Sequence, residues 1–289
     1  MDKKQIAKQN MKELLEDLNH LDWNVRAKAV FDLKNYDDPT VTDALINKLK
    51  DDNENVWLSA ANVLKNRKDS RIVDSLIKTL VDTRDEVRWH SVYFLGEIGD
   101  NKAVDPIIKT LKDKCVEVRI NAAKALGKIG DKKAIDALTK TLEDNDSTVR
   151  KEAITALNLL SPTKPVKALV KALNDNDKRV RSLAAIILGK TRSTEAFDDL
   201  LGTLDDEEHI VRISAIYALD KIGGEQVVKP LVKALKDSHW EVRSDAASAL
   251  GKTGNNDAVV PLMEALRDEN AFVRKSAVKA LEKFNIFKK

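Results

Sequence analysis

The sequence repeats itself every 31 residues, and no other property of the chain restricts its fold so strongly. The dipeptide Val-Arg sets the register at Val25, Val87, Val118, Val149, Val180, Val211, Val242 and Val273. Val56-Trp57 stands at the midpoint of the one double interval. Seven residues before each of these valines is a leucine, from Leu18 to Leu266, and eight residues after it is another, from Leu33 to Leu281. A period of this length marks a stack of supersecondary units, each of which can bury its apolar face only against a neighbour.

Within a unit the spacing is helical. Val104, Ile107, Ile108 and Leu111 fall on one face of a first helix, and Val118, Ala122, Ala123, Leu126 and Ile129 on one face of a second. Asp22, Asn53, Asp146, Asp177 and Asn270 precede the valine by three and are expected to cap the second helix. Gly99, Gly130, Gly223 and Gly254 are expected to end it in the left-handed conformation, with Asp100 and Asp131 capping the next helix. Pro106, Pro230 and Pro261 share one position in the first helix and are expected to kink it. Alanines such as Ala60, Ala122, Ala184 and Ala246 are expected at the closest helix contacts. Packing by Leu, Ile, Val and Ala accounts for an aromatic content of only 4%. The expected fold class is therefore all-α: an α-solenoid of about nine 31-residue helix pairs wound as a right-handed superhelix, one array over residues 1–289 anchored at the nine valines.

Residues Asp113 to Asp131 read D-x-x-x-x-V-R-x-x-A-A-x-x-L-G-x-I-G-D. This unit resembles the short HEAT-like repeat named after the phycobilisome (bilin) lyases, and the resemblance runs the length of the chain. It implies the solenoid and leaves function open, since sites are grafted onto such arrays. Relatives with HEAT-like repeats include iron-dependent hydroxylases of the deoxyhypusine type, whose metal is held by repeated His-Glu pairs. This chain has no His-Glu dipeptide, only the reversed Glu208-His209, so no metal is expected. Cys115 lies in a turn with no histidine near it in sequence and reads as structural or incidental.

The remaining chemistry is sparse. The chain lacks a phosphate-binding glycine loop, a dinucleotide fingerprint, a nucleophile elbow and an H-E-x-x-H motif, so neither an enzyme nor a cofactor is expected. It has no long apolar run and no signal-like N-terminus, and one cysteine cannot make a disulfide framework; the expected setting is cytoplasmic, away from membranes. An aspartate recurs five residues before the valine, from Asp51 to Asp268. It is expected to pair with the recurring arginine of a neighbouring unit.

The face of the second helix opposite the buried stripe is expected to line the concave side and to bind a protein or peptide. Its residues vary between units: Phe31, Leu58, Trp89, His90, Tyr93 and Ile120, then Ile186, Ile210, Ile213, Tyr217 and Phe272, joined by Lys275 and Lys279. Large apolar side chains on a solvent-facing helix are a recognition signal, and Trp and Tyr are preferred anchors. Trp23, Trp57 and Trp240 fall off this face and are expected to pack. A lysine stripe (Lys128, Lys190, Lys221, Lys252, Lys283) with Lys288 and Lys289 offers nucleic-acid binding as an alternative. A net charge of +3 and the fit of lysine to helix C-termini weigh against it. The second alternative is a lyase-like or chaperone-like accessory for a cofactor-bearing protein. At the ends, Lys3, Lys4, Lys8, Asn10 and Lys12 suit a polar N-terminal cap, and Phe284, Ile286 and Phe287 an apolar flap. A slight bend is expected at Ser161-Pro162-Thr163-Lys164-Pro165. The reading is a non-catalytic, monomeric interaction scaffold.

Overall fold

Alternation of short and long apolar stripes builds helices in pairs, and the structure is a succession of them. The computed structural model describes residues 3–67, 69–161 and 166–284, apart from the side chains of Lys3 and Lys4. The expected bend at Pro162 to Pro165, the tail residues Ile286, Phe287, Lys288 and Lys289, and the side chains of Lys3 and Lys4 lie outside the described residues. The chain falls into two compact units, Met1–Thr141 and Leu142–Lys289. The first holds α1 (Lys3–Asp17), α2 (Trp23–Asp32), α3 (Pro39–Lys48), α4 (Glu54–Leu64), α5 (Ser70–Thr79), α6 (Asp85–Ile98), α7 (Val104–Thr110), α8 (Val116–Ile129) and α9 (Ile135–Thr141). The second holds α10 (Ser147–Leu160), α11 (Val166–Ala172), α12 (Lys178–Lys190), α13 (Phe197–Thr203), α14 (His209–Ile222), α15 (Val228–Ala234), α16 (Trp240–Thr253), α17 (Val259–Ala265) and α18 (Ala271–Glu282). There is no strand among the described residues. The fold class is an all-α solenoid of helix pairs, odd-numbered helices being the first of each pair.

The local signals act as their chemistry requires. Asp22, Asn53, Asp146, Asp177 and Asn270 each accept a backbone N–H from the first turn of the helix they cap. Gly99, Gly130 and Gly254 end their helices at φ of 75°, 84° and 65°. Gly223 has a positive φ but ψ of −160°, and the chain turns through a second glycine, Gly224 at φ 90°. The repeating core is the valine with the alanines four and five residues on and the leucine eight on; Val118, Ala122, Ala123 and Leu126 are all sealed from solvent.

Three packing expectations need correction. The irregular start of the first helix is a 3-10 turn that does not depend on proline. A 3-10 turn enters the α-helix at Asn101–Ala103 ahead of Pro106, and equally at Lys132–Ala134 and Thr194–Ala196, whose helices carry Ala137 and Asp199 at the proline's position. Proline is tolerated there because it is the third α-helical residue, where an N–H is not yet needed. The alanines four after the valine are buried, but the approach that admits no side chain lies nine after it. A Cβ on Gly96 would stand 2.8 Å from that of Ala125, and one on Gly189 or Gly251 would stand 2.5 or 2.6 Å from the Cα of Ala218 or Ala280. Finally, of the tryptophans expected to pack, Trp57 is buried, Trp240 is half-buried and Trp23 is 39% exposed. Trp240 stacks on Phe272 of the following helix pair at 5.2 Å, whereas the residue at that repeat position after Trp23 is Asn55.

Candidate interaction surface

The second helices are held in register by a repeated ion pair. In Arg26–Asp51, Arg88–Asp113, Arg150–Asp175, Arg181–Asp206, Arg212–Asp237 and Arg243–Asp268 the guanidinium donates from Nε and Nη2 to the two carboxylate oxygens at 2.6–3.0 Å. The remaining nitrogen, Nη1, donates to two carbonyls of its own inter-helix turn, such as Asp175 and Asn176 for Arg181. The aspartate in turn accepts the N–H two residues on, as Asp113 does from Cys115 at 2.9 Å. Each arginine is thus tied to the aspartate of the next repeat, as the sequence pattern requires. Burial would raise the carboxyl of Asp113, but hydrogen bonds from Arg88 and Cys115 outweigh it and hold the group below the usual carboxylate range. The same balance holds for Asp51, Asp206 and Asp237.

One junction is built differently. Trp57 stands where the arginine should be, which leaves Asp82 without its partner. Arg84 supplies the guanidinium from the opposite direction. It donates to both oxygens of Asp82 at 3.0 Å and, from Nη1, to the carbonyls of Asp51 and Asp52 at 3.0 and 3.2 Å. These are the acceptors an arginine at position 57 would reach. Trp57, released from the clamp, is 1% exposed, and its Nε1 has no partner. Its ring meets His90 edge-on at 5.1 Å, and His90 stacks on Trp89 at 3.3 Å. Burial lowers the His90 pKa, and its Nδ1–H donates to the Glu86 carbonyl at 2.9 Å.

The expected face has this exposure. In the first unit Phe31 and Tyr93 are 57% and 41% exposed, while Leu58, Trp89, His90 and Ile120 are half-buried. In the second, Ile210 and Phe272 are 44% and 61% exposed, Ile186, Ile213 and Tyr217 are half-buried, and Lys275 and Lys279 are exposed. Phe31 borders an open groove of about 1200 Å³ that Ser59, Asn62, Val63, Asn66 and Arg71 also line. Asn62 lies in the last turn of α4 and Asn66 in the turn just after it. A search for apolar residues passes over them because they are polar, although they occupy face positions six and ten after Val56.

The other candidate groups are already engaged. Lys128 pairs with Glu97 and Lys252 with Asp220, the latter at 2.7 Å, so part of the lysine stripe is neutralised by acidic residues of the preceding repeat. Lys221 lies 5.5 Å over the Tyr217 ring. The Cys115 thiol donates to Glu117 at 3.0 Å; burial first and this carboxylate second raise its pKa, the reverse of what a nucleophilic thiol requires. A cluster that no motif announced joins His209, His239 and Glu241, whose ligand-type atoms all lie within 4.8 Å of one another. Only the repeat period could have found it, because it aligns His209 with Trp240, whose two chain neighbours are His239 and Glu241.

Stacked helix pairs, a shared clamp and a variable outer face define the class: a helical-repeat solenoid. A model of HEAT repeats matches residues 11–92, 73–158, 139–220, 166–250 and 203–282, and the chain belongs to the HEAT repeat family. No curated protein sequence matches it. Among solved structures it is similar to YibA of Escherichia coli (23% identity over 89% of this chain and 95% of that one, TM-score 0.63). It is also similar to an engineered protein (24% identity over 97% and 90%, TM-score 0.51). Kap95p, solved with RanGDP, is similar in fold at 15% identity, over 96% of this chain and 46% of Kap95p, with a TM-score of 0.71.

Proposed function

We propose that this protein is a non-catalytic, monomeric, cytoplasmic scaffold whose repeats run on as one array and which captures a protein or peptide on the outer face of its second helices. The observation that carries this reading lies in the first unit. Phe31 and Tyr93 expose large rings at positions the repeat does not use for packing, and Phe31 opens onto the groove of Asn62 and Asn66. Exposed rings supply desolvation energy on binding, and asparagine amides both donate to and accept from a peptide backbone. Trp89, half-buried and stacked on His90, stands one helical turn before Tyr93. That Kap95p, similar in fold, is seen with RanGDP supports a protein partner as the kind of ligand. No helix among the described residues is long and apolar enough to cross a membrane.

The test pairs Trp89→Ala and Tyr93→Ala with Phe31→Ala and measures affinity for a partner captured from the native host and identified by mass spectrometry. Each change is expected to weaken binding by about tenfold or more, the scale of an interface anchor, with the far-ultraviolet circular dichroism unchanged. Unaltered affinity in the triple variant would remove this face from consideration. The lysine and Cys115 alternatives have no observation in their favour beyond residue type.

A further inference from the structure

Between the N-terminal ends of α14 and α16, two imidazoles and a carboxylate converge. His209 and His239 lie face to face with centroids 3.9 Å apart and planes 9° from parallel. One oxygen of Glu241 stands 3.7 Å from Nε2 of His209 and 3.7 Å from Nδ1 of His239. The Nδ1 of His239 is shut off from solvent and has no hydrogen-bond partner, although the rest of the side chain is about one-third exposed. A buried nitrogen of this kind carries an uncompensated desolvation cost, which a bound cation would remove. In a tetrahedral site with metal–ligand distances of about 2.0–2.2 Å, donor atoms lie roughly 3.3–3.6 Å apart. Both histidine–carboxylate separations are already close to that. The two ring nitrogens must close up, and the rings must tilt out of their stack so that both lone pairs point to one centre.

We propose that His209, His239 and Glu241 form a binding site for a divalent transition cation of the zinc class, with water completing the coordination. Two imidazoles and one carboxylate match the ligand preference of zinc and nickel and are poorly suited to magnesium, which takes oxygen donors. The position gives the cation a structural task. Along the second unit, Gly189 lets α12 abut Ala218 of α14, and Gly251 lets α16 abut Ala280 of α18. Between α14 and α16 the corresponding residue is Asp220, which reaches across to Lys252 instead. A cation held by His209 from one repeat and by His239 and Glu241 from the next fastens a junction that lacks the glycine contact. The site borders Ile210 of the face proposed above but does not rest on that reading, which Phe31 and Tyr93 of the first unit carry.

The experiment uses the full chain in a non-chelating buffer with Zn2+ alone, read by calorimetry and by the histidine ring signals in nuclear magnetic resonance. The expected result is one saturable equivalent of Zn2+ that shifts only His209 and His239, leaves His20 and His90 in place, and is reversed by a chelator. Mg2+ should give no signal. His209→Gln and His239→Gln each weaken binding by at least about tenfold, since even changes to groups behind a metal ligand cost about 10–100-fold. Affinity also falls as the pH is lowered, because protons compete with the cation for the same nitrogens. Absence of saturable binding, movement of His20 or His90 instead, or full binding by the folded double His→Gln variant each overturns the site.

Discussion

Two successive junctions of the first unit perform the same task with different residues. At the first, Arg26 spans from its own turn to Asp51, as the repeat prescribes. At the next, Trp57 has displaced the arginine, and Arg84 fills the clamp from the aspartate's side of the junction. The acceptors are equivalent in both: two carboxylate oxygens of the later repeat and two turn carbonyls of the earlier one. The fold therefore requires a guanidinium at that point rather than an arginine at a given position in the repeat. Arg84 occupies the place of a helix cap and makes no side-chain cap bond, so one function was exchanged for another. The exchange also frees Trp57 to fill the interior and to support the rings of His90 and Trp89.

The largest test of this comparison is Trp57→Arg, which places two guanidinium groups on Asp82 and removes a buried ring. It is expected to cost about 3–5 kcal/mol in urea unfolding, and adding Arg84→Asp should return part of that loss. A double variant no better than the single one would mean that the two arginines do not exchange roles. Next in size, Arg181→Ala leaves Asp206 paired to nothing charged at a site where the arginine side chain is 9% exposed; a loss of about 3 kcal/mol is expected. Arg84→Ala should cost less, about 1 kcal/mol, because that side chain is 35% exposed and solvent screens its pair.

The smallest effect is the pH dependence. The clamp carboxyls of Asp51, Asp82, Asp113, Asp206, Asp237 and Asp268 all have folded pKa values below the ordinary one. As pH falls, the unfolded chain takes up protons at these groups before the folded chain does. Their stabilisation is therefore complete above about pH 5 and is lost progressively below about pH 4. The urea midpoint should be flat from about pH 5.5 to 8 and drop in acid, with a shallower drop in Arg181→Ala.

Much of the fold was legible because a period multiplies every signal. The caps at Asp22 and Asn270, the left-handed glycines and the Arg–Asp pairing could be read from residues that recur at fixed places. What could not be read depended on the reach of a single side chain. Nothing in the sequence says that Arg84 turns back to Asp82, or that Trp23 is left more exposed than Trp240. His209 and Glu241 are 32 positions apart and become neighbours only through the geometry of the stack. On the candidate face, exposure separated residues that the helical wheel had grouped: Phe31 and Phe272 stand clear, whereas Leu58 and Ile120 lean into the packing.

The glycines nine residues after the valine give neighbouring repeats unequal mechanical stiffness. Where Gly189 meets Ala218 and Gly251 meets Ala280, backbone rests on backbone and there is no side chain left to yield. Between α14 and α16 the load passes instead through Asp220 and Lys252, whose rotatable bonds act as a spring. Under bending or tension a junction of that kind yields before one closed on glycine, so the compliance of the second unit is encoded by whether one residue per repeat is glycine.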